Sequence, residues 1–147
     1  MSDSEPTTRD GLPDFAPRFD TDLVKPYWES LARGELSLPC CSVCGAWQWY
    51  PFEFVKCHPE AHHEWKRVAA TGRIFTFAKV ARPFLPNADP KAPPYTAALV
   101  EIDGVPGVRI PALLVNFEGR TPRIGGRVRL HPLRRSTYTA PAFEPDE

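Results

Sequence analysis

The sequence predicts a mainly β chain: a short N-terminal helix, a small cysteine-knuckle module, and then a barrel or sandwich of short strands. Three observations carry this expectation. A Cys-x-x-Cys-Gly knuckle runs from Cys41 to Gly45, and Cys57 follows thirteen residues beyond Cys44. From about residue 64 the apolar residues recur with period two rather than 3.6. The second half has glycine turns between short runs and no convincing helical pattern, which suits a small barrel or sandwich.

Bulk properties set the bounds. The chain has 147 residues, enough for one domain, or for one small module and one domain. It is 42% apolar and 12% aromatic, a globular composition. The formal net charge is zero, which argues against a nucleic-acid binder, whose charge is usually basic. No apolar run approaches the ~18 residues of a membrane helix. The start, MSDSEPTTRDGL, has no apolar signal core, so a cytoplasmic protein is expected. Cysteines in a reducing compartment read as metal ligands or free thiols rather than disulfides.

Taken in order, residues 1–20 carry five acidic residues and three prolines without periodicity, and a flexible acidic tail is expected. Residues 21–36 hold the helix. Pro26 suits its first position and Gly34 the residue after its end, with Tyr27, Trp28, Leu31 and Ala32 on one apolar face. Residues 37–63 hold the knuckles, followed closely by Trp47, Trp49, Tyr50, Phe52 and Phe54. Dense aromatics substitute for a core that so small a module cannot otherwise build. Residues 64–147 form the strand-rich domain. Arg73–Val80 reads as a strand with Ile74, Thr76, Ala78 and Val80 on one face, and Thr96–Ile102 as a second. Asp103-Gly104 turns into a third, Val108–Val115, where Pro111 implies an edge or a bulge. Residues 127–131 alternate charged and apolar, and Trp65–Ala69 and Tyr138–Phe143 are weaker strand candidates. A five-stranded barrel of the OB type fits the length best. Between strands, Arg82 to Tyr95 holds five prolines in fourteen residues and reads as a long exposed loop.

Cys41, Cys44 and Cys57 are the expected metal ligands, since thiolates at this spacing grip a tetrahedral ion and Gly45 lets amides turn toward the sulfurs. A matching second knuckle would place cysteine where Glu60 stands. The expected fourth ligand is His62, then His58 and His63, then Glu60; structural zinc is the expected cofactor, and buried thiols in a decayed ribbon are the alternative. Cys40 is set aside because adjacent cysteines seldom both reach one ion. Arg120, Arg123, Arg127, Arg129, Arg134 and Arg135 cluster within this neutral chain. They form either a solvated face or a surface for phosphates or an acidic partner. Glu101 and Asp103 read as surface charge and His131 as solvated. No G-x-S-x-G, H-E-x-x-H, Walker or G-x-G-x-x-G pattern is present, so no catalytic residue is assigned.

From Pro26 to Phe143 the chain resembles the DUF35 family. The residues that carry the resemblance are Pro26-Tyr27-Trp28-Glu29 with Gly34-Glu35-Leu36, the knuckle Cys41, Cys44, Gly45, and Cys57. They continue through Glu64-Trp65, Gly72 to Phe77, Pro94-Tyr95 before Ala97 to Glu101, and Ile124-Gly125 before Val128. Glu60 departs from the family's cysteine. The resemblance implies an N-terminal helix, a rubredoxin-like zinc ribbon and a C-terminal OB fold. It implies a non-catalytic partner of thiolase-superfamily enzymes, including lipid-transfer-protein-like aldolases that cleave steroid side-chain CoA thioesters.

The resulting expectation is an accessory subunit of a thiolase-like aldolase or acyltransferase acting on acyl-CoA thioesters. Tyr27, Trp28, Phe84, Leu85 and Tyr95 are the expected partner contacts. A stand-alone acyl-CoA binder is the alternative, with Arg120, Arg123, Arg127 and Arg129 as CoA-phosphate candidates. A single-strand nucleic-acid module is the third reading, since OB folds with aromatics stack bases.

Overall fold

The structure is a computed structural model that describes residues 22–81 and 94–146. The expected tail, 1–20, and Phe84 and Leu85 of the proline-rich loop lie outside the described residues.

Helix α1 spans Lys25–Ala32. Pro26 occupies its first turn, where a missing N–H removes no helical bond. Gly34, at φ +79°, ends it in the left-handed conformation, and its N–H donates to the Leu31 carbonyl at 2.9 Å. The buried face carries Tyr27, Ser30 and Leu31, and Ser30 Oγ meets Ser37 Oγ at 3.0 Å.

Strand β1 (Ser37–Cys41) pairs antiparallel with β2 (His63–Arg67), with Cys41 opposite His63 and Ser37 opposite Arg67. The weak strand candidate at Trp65 is thus part of the knuckle module, and β2 straddles the expected division between 63 and 64.

The closed barrel takes β3 (Thr71–Val80), β4 (Tyr95–Ile102), β5 (Arg109–Leu114), β6 (Arg127–Leu130) and β9 (Ala142–Pro145), in the order β3-β4-β5-β9-β6. Between β6 and β9 the chain makes a small hairpin of β7 (Leu133–Arg134) and β8 (Thr139–Ala140). Ile74, Val100, Ile110, Val128 and Phe143 fill the barrel. Tyr27, Leu31, Leu36 and Leu38 join the same cluster, so helix, knuckle module and barrel share one core. Among the described residues, no helix is long and apolar enough to cross a membrane.

Two sequence expectations are corrected here. Strand β3 does not keep one face: its register against β4 shifts between Ile74 and Thr76. The bulge rotates the strand, so Thr76 and Ala78 are exposed while Phe77 packs on the core. Asp103 is not mere surface charge. The Arg127 guanidinium donates two hydrogen bonds to its carboxylate, at 2.9 and 2.6 Å, and Thr71 Oγ1 donates a third at 2.6 Å. This pair fastens the ends of β3, β4 and β6 together. Pro111 is accommodated as expected of an edge-like position: β9 pairs with β5 only at Leu113 and Leu114, leaving the proline with one ladder.

Gly72 sits where β3 is squeezed between Ile102 of β4 and Val128 of β6. A Cβ there would run into the Glu101 carbonyl oxygen. Gly72→Ala is therefore expected to destabilise the protein by about 1–3 kcal/mol, the range for overpacking, in denaturant unfolding. A second expectation concerns acid. Hydrogen bonds from Arg127 and Thr71 lower the Asp103 pKa to about 2. A depressed carboxylate contributes stability above its unfolded value, about 3.9, that is lost as pH falls toward the folded value. Asp103→Asn should lower the melting temperature at pH 6 and flatten its dependence between pH 4 and 2. An unchanged pH profile would contradict this role.

Candidate metal centre

The first knuckle grows out of the end of β1. The Gly45 N–H donates to the Cys41 carbonyl at 2.8 Å, and the Cys41 N–H to the Ala46 carbonyl at 2.9 Å. Gly45 adopts φ +76°, which a side chain would disfavour. This turn aims the amides of Val43 and Cys44 at the Cys41 sulfur, at 3.3 and 3.5 Å. Burial works against a Cys41 thiolate, but the Cys44 and Val43 amides, with the Cys57 and Cys44 thiols, outweigh it and hold its pKa at about 6. Burial and the neighbouring Cys44 and Cys41 sulfurs push the Cys57 thiol the other way, upward.

The second knuckle is a turn after Cys57, closed by the Ala61 N–H donating to the His58 carbonyl at 2.8 Å. It brings Cys57 Sγ to 3.6 Å from Cys44 Sγ and His58 Nδ1 to 3.5 Å from Cys41 Sγ. The donor atoms of Cys41, Cys44, Cys57 and His58 all lie within 4.8 Å of one another. With metal–sulfur and metal–nitrogen bonds of about 2.3 and 2.0–2.1 Å, a tetrahedron has edges of about 3.5–3.8 Å. The two closest contacts match these edges, so the four side chains could hold a metal ion, as a zinc ribbon does.

His62, expected as fourth ligand, is absent from this group, and His58 stands in its place. The reason is backbone position. His62 precedes β2, and its N–H and carbonyl bond Ser42, which fastens the two knuckles together. His63 Nε2 donates to the Phe52 carbonyl at 2.6 Å, so that ring orders the loop between knuckles. Glu60 is exposed. Cys40 points into the core, and burial raises its pKa.

The other expected site residues are scattered. Tyr27 is only 2% exposed and lies against Trp49, with ring centroids 4.4 Å apart, so it cannot serve a partner. Trp28 is half-buried beside Tyr138, and Tyr95 opens β4, also half-buried. Arg120, Arg123 and Arg127 line a groove of about 300 Å³. Arg127 is tied to Asp103 and Arg129 to Glu144 at 2.7 Å, so both charges are largely neutralised within the chain. Sequence reasoning missed two features. Val43, Tyr50, Phe52 and Phe54 are each 50–60% exposed on the knuckle module. A cleft also opens between α1 and the β7–β8 hairpin. Amphipathic period could not reveal the first, because the loop follows no regular period.

Residues 65–131 match the family described as the C-terminal OB-fold domain of ChsH2. No curated protein sequence matches. Among solved structures, the chain is similar to one from the "Ltp2-ChsH2(DUF35) aldolase", with a TM-score of 0.76 and 22% identity over 90% of this chain and 100% of that one. It is also similar to a DUF35-family protein of unknown function from Sulfolobus solfataricus, with a TM-score of 0.59 and 10% identity over 88% and 89%. The match over 65–131 and the shared fold support the DUF35 family for this chain, with an OB fold of the ChsH2 C-terminal kind.

Proposed function

We propose that this chain is a non-catalytic accessory subunit of an aldolase-type complex, docked to a thiolase-like enzyme that acts on acyl-CoA thioesters. The observation that carries the reading is the likeness to the ChsH2(DUF35) aldolase structure, which extends over all of that chain. In this reading the nucleophile or base lies on the partner, and steroid side-chain CoA thioesters are the favoured substrates, on the family resemblance alone. The surface supports a docking role. Phe52 and Phe54 stack at 5.9 Å in the open, with Lys56 Nζ 5.5 Å from the Phe52 ring, and Val43 and Tyr50 are exposed on the same module. Exposed aromatic groups of this kind are characteristic of interface cores. The partner contact expected at Tyr27, which is buried, is replaced in this proposal by Tyr50, Phe52 and Phe54.

The ribbon is proposed to hold a structural zinc through Cys41, Cys44, Cys57 and His58. Three thiolates and one imidazole form a closed donor set of the structural type. The ion would supply folding free energy, roughly 10 kcal/mol or more in small modules. The residues it joins bracket the loop that displays Tyr50, Phe52 and Phe54.

A stand-alone acyl-CoA binder is the second reading. The groove lined by Arg120, Arg123 and Arg127 is the observation in its favour.

Two expectations follow. Gently purified protein should contain about one zinc per chain by elemental analysis. His58→Ala and Cys57→Ser should lose it, whereas His62→Ala should keep it; the opposite histidine result would return the fourth position to His62. For docking, the Phe52→Ser/Phe54→Ser double variant should weaken assembly with a co-expressed thiolase-like enzyme by ~30-fold, the effect of losing ~2 kcal/mol from an aromatic anchor. Size-exclusion chromatography and titration of the pair measure this. Undiminished co-elution would move the interface elsewhere.

A further inference from the structure

Exposure splits the four cysteines into two pairs. Cys40 and Cys41 are each 1% exposed, whereas Cys44 and Cys57 are open to solvent. Cys41 is sheltered in a second way. Its sulfur accepts the Val43 and Cys44 amides at 3.3 and 3.5 Å, and His58 Nδ1 lies beside it at 3.5 Å. The Cys44 and Cys57 sulfurs face each other at 3.6 Å, although thirteen residues separate them in sequence.

Oxidation of a thiol follows its access and its thiolate character. The exposed pair is therefore the one that an oxidant reaches, and each member has the other in place as a resolving thiol. A disulfide bond measures about 2.05 Å, so the two sulfurs must close by roughly 1.5 Å. Neither residue lies in a helix or strand, which leaves that approach to side-chain rotation.

We propose that Cys44 and Cys57 form a reversible oxidation site, at which a peroxide joins them in a disulfide that takes over from the metal as the clasp between the knuckles. One thiol attacks a peroxide oxygen and breaks the O–O bond. It becomes a sulfenic acid, and one water is released. The second thiol attacks that sulfur and forms the S–S bond, and the sulfenic oxygen leaves as a second water. The two cysteines together lose two electrons and two protons, and the peroxide takes up both. Of the donor set, Cys41 and His58 then remain, two ligands where a structural site needs four. The ion is released, yet the loop from Cys44 to Cys57, which displays Tyr50, Phe52 and Phe54, stays closed by a covalent bond. The release rests on the zinc reading above; the link itself does not. Exposed disulfides are the readily reduced kind, so a thiol reductant restores the dithiol.

The test treats the full chain with hydrogen peroxide once its zinc content has been measured. Disulfides are mapped by non-reducing peptide mass spectrometry while a colorimetric indicator follows free zinc. A linked Cys44–Cys57 peptide, lighter by two hydrogens, is expected, with zinc appearing in step with it. Dithiothreitol with added zinc should reverse both changes. Oxidised, metal-free protein should melt at a higher temperature than reduced, metal-free protein, because the link constrains the unfolded loop. Cys57→Ser should abolish the link, and Cys41→Ser should keep it. A link through Cys40 or Cys41 overturns the proposal, as do sulfinic and sulfonic acids without any link. Zinc-loaded protein that keeps its metal under peroxide overturns it too. A link that forms without raising the melting temperature overturns the role as clasp. Protein that binds no zinc and still forms the Cys44–Cys57 link keeps the oxidation site and overturns the zinc reading alone.

Discussion

The barrel depends on how its last strand closes it. Without β9, strands β5 and β6 would present open edges, with unpaired amides and carbonyls over an apolar interior. β9 fits between them by pairing parallel to β5 at Leu113–Ala142 and Leu114–Phe143, and antiparallel to β6 from Val128–Pro145 to Leu130–Phe143. The ladder extends beyond the strands, with the Val115 N–H donating to the Phe143 carbonyl at 2.9 Å and the His131 N–H to the Ala142 carbonyl at 2.7 Å. Phe143 is fully buried in the core cluster, beside residues of every other barrel strand. Burying such a side chain contributes about 1.5–3 kcal/mol, so the hydrogen bonds and the apolar contact reinforce one another.

That closure has consequences at both faces of the barrel. The register sets Arg129 opposite Glu144, and the resulting ion pair is completed by the Asn116 amide donating to Glu144 at 2.6 Å. A parallel partner cannot be reached by a tight turn, so the chain must travel from β5 to β9 by a long connection. That connection contains β6 and the β7–β8 hairpin, which is how Arg134, Arg135 and Tyr138 come to lie over α1. The topology thus neutralises one group of arginines and carries another to the helix.

The knuckle module follows a different physical rule. Its base is fused to the common core through Leu36 and Leu38, and Tyr27 packs on Trp49. Its tip, beyond β1, is built from turns, N–H···S bonds and the four-residue donor cluster. Aromatics near the base bury themselves, whereas Tyr50, Phe52 and Phe54 remain outside.

The sequence alone determined the elements governed by local chemistry. Pro26 and Gly34 bracket α1, Cys41 to Gly45 form the knuckle, and the period-two runs are strands, because each signal lies within a few neighbouring residues. The five-stranded barrel was legible in number and length. Features that depend on partners distant in sequence were decided by tertiary structure alone. His62 was expected ahead of His58, yet the turn after Cys57 brings the adjacent histidine to the sulfurs, because side-chain reach depends on turn shape rather than sequence separation. The bulge at Phe75 reversed the expected face of β3, and a one-residue slip inverts every side chain beyond it. Likewise, the sequence displayed the arginines as one cluster. Only the pairing of strands far apart in the chain set Arg127 against Asp103 and Arg129 against Glu144, and carried Arg134 and Arg135 to the side of α1.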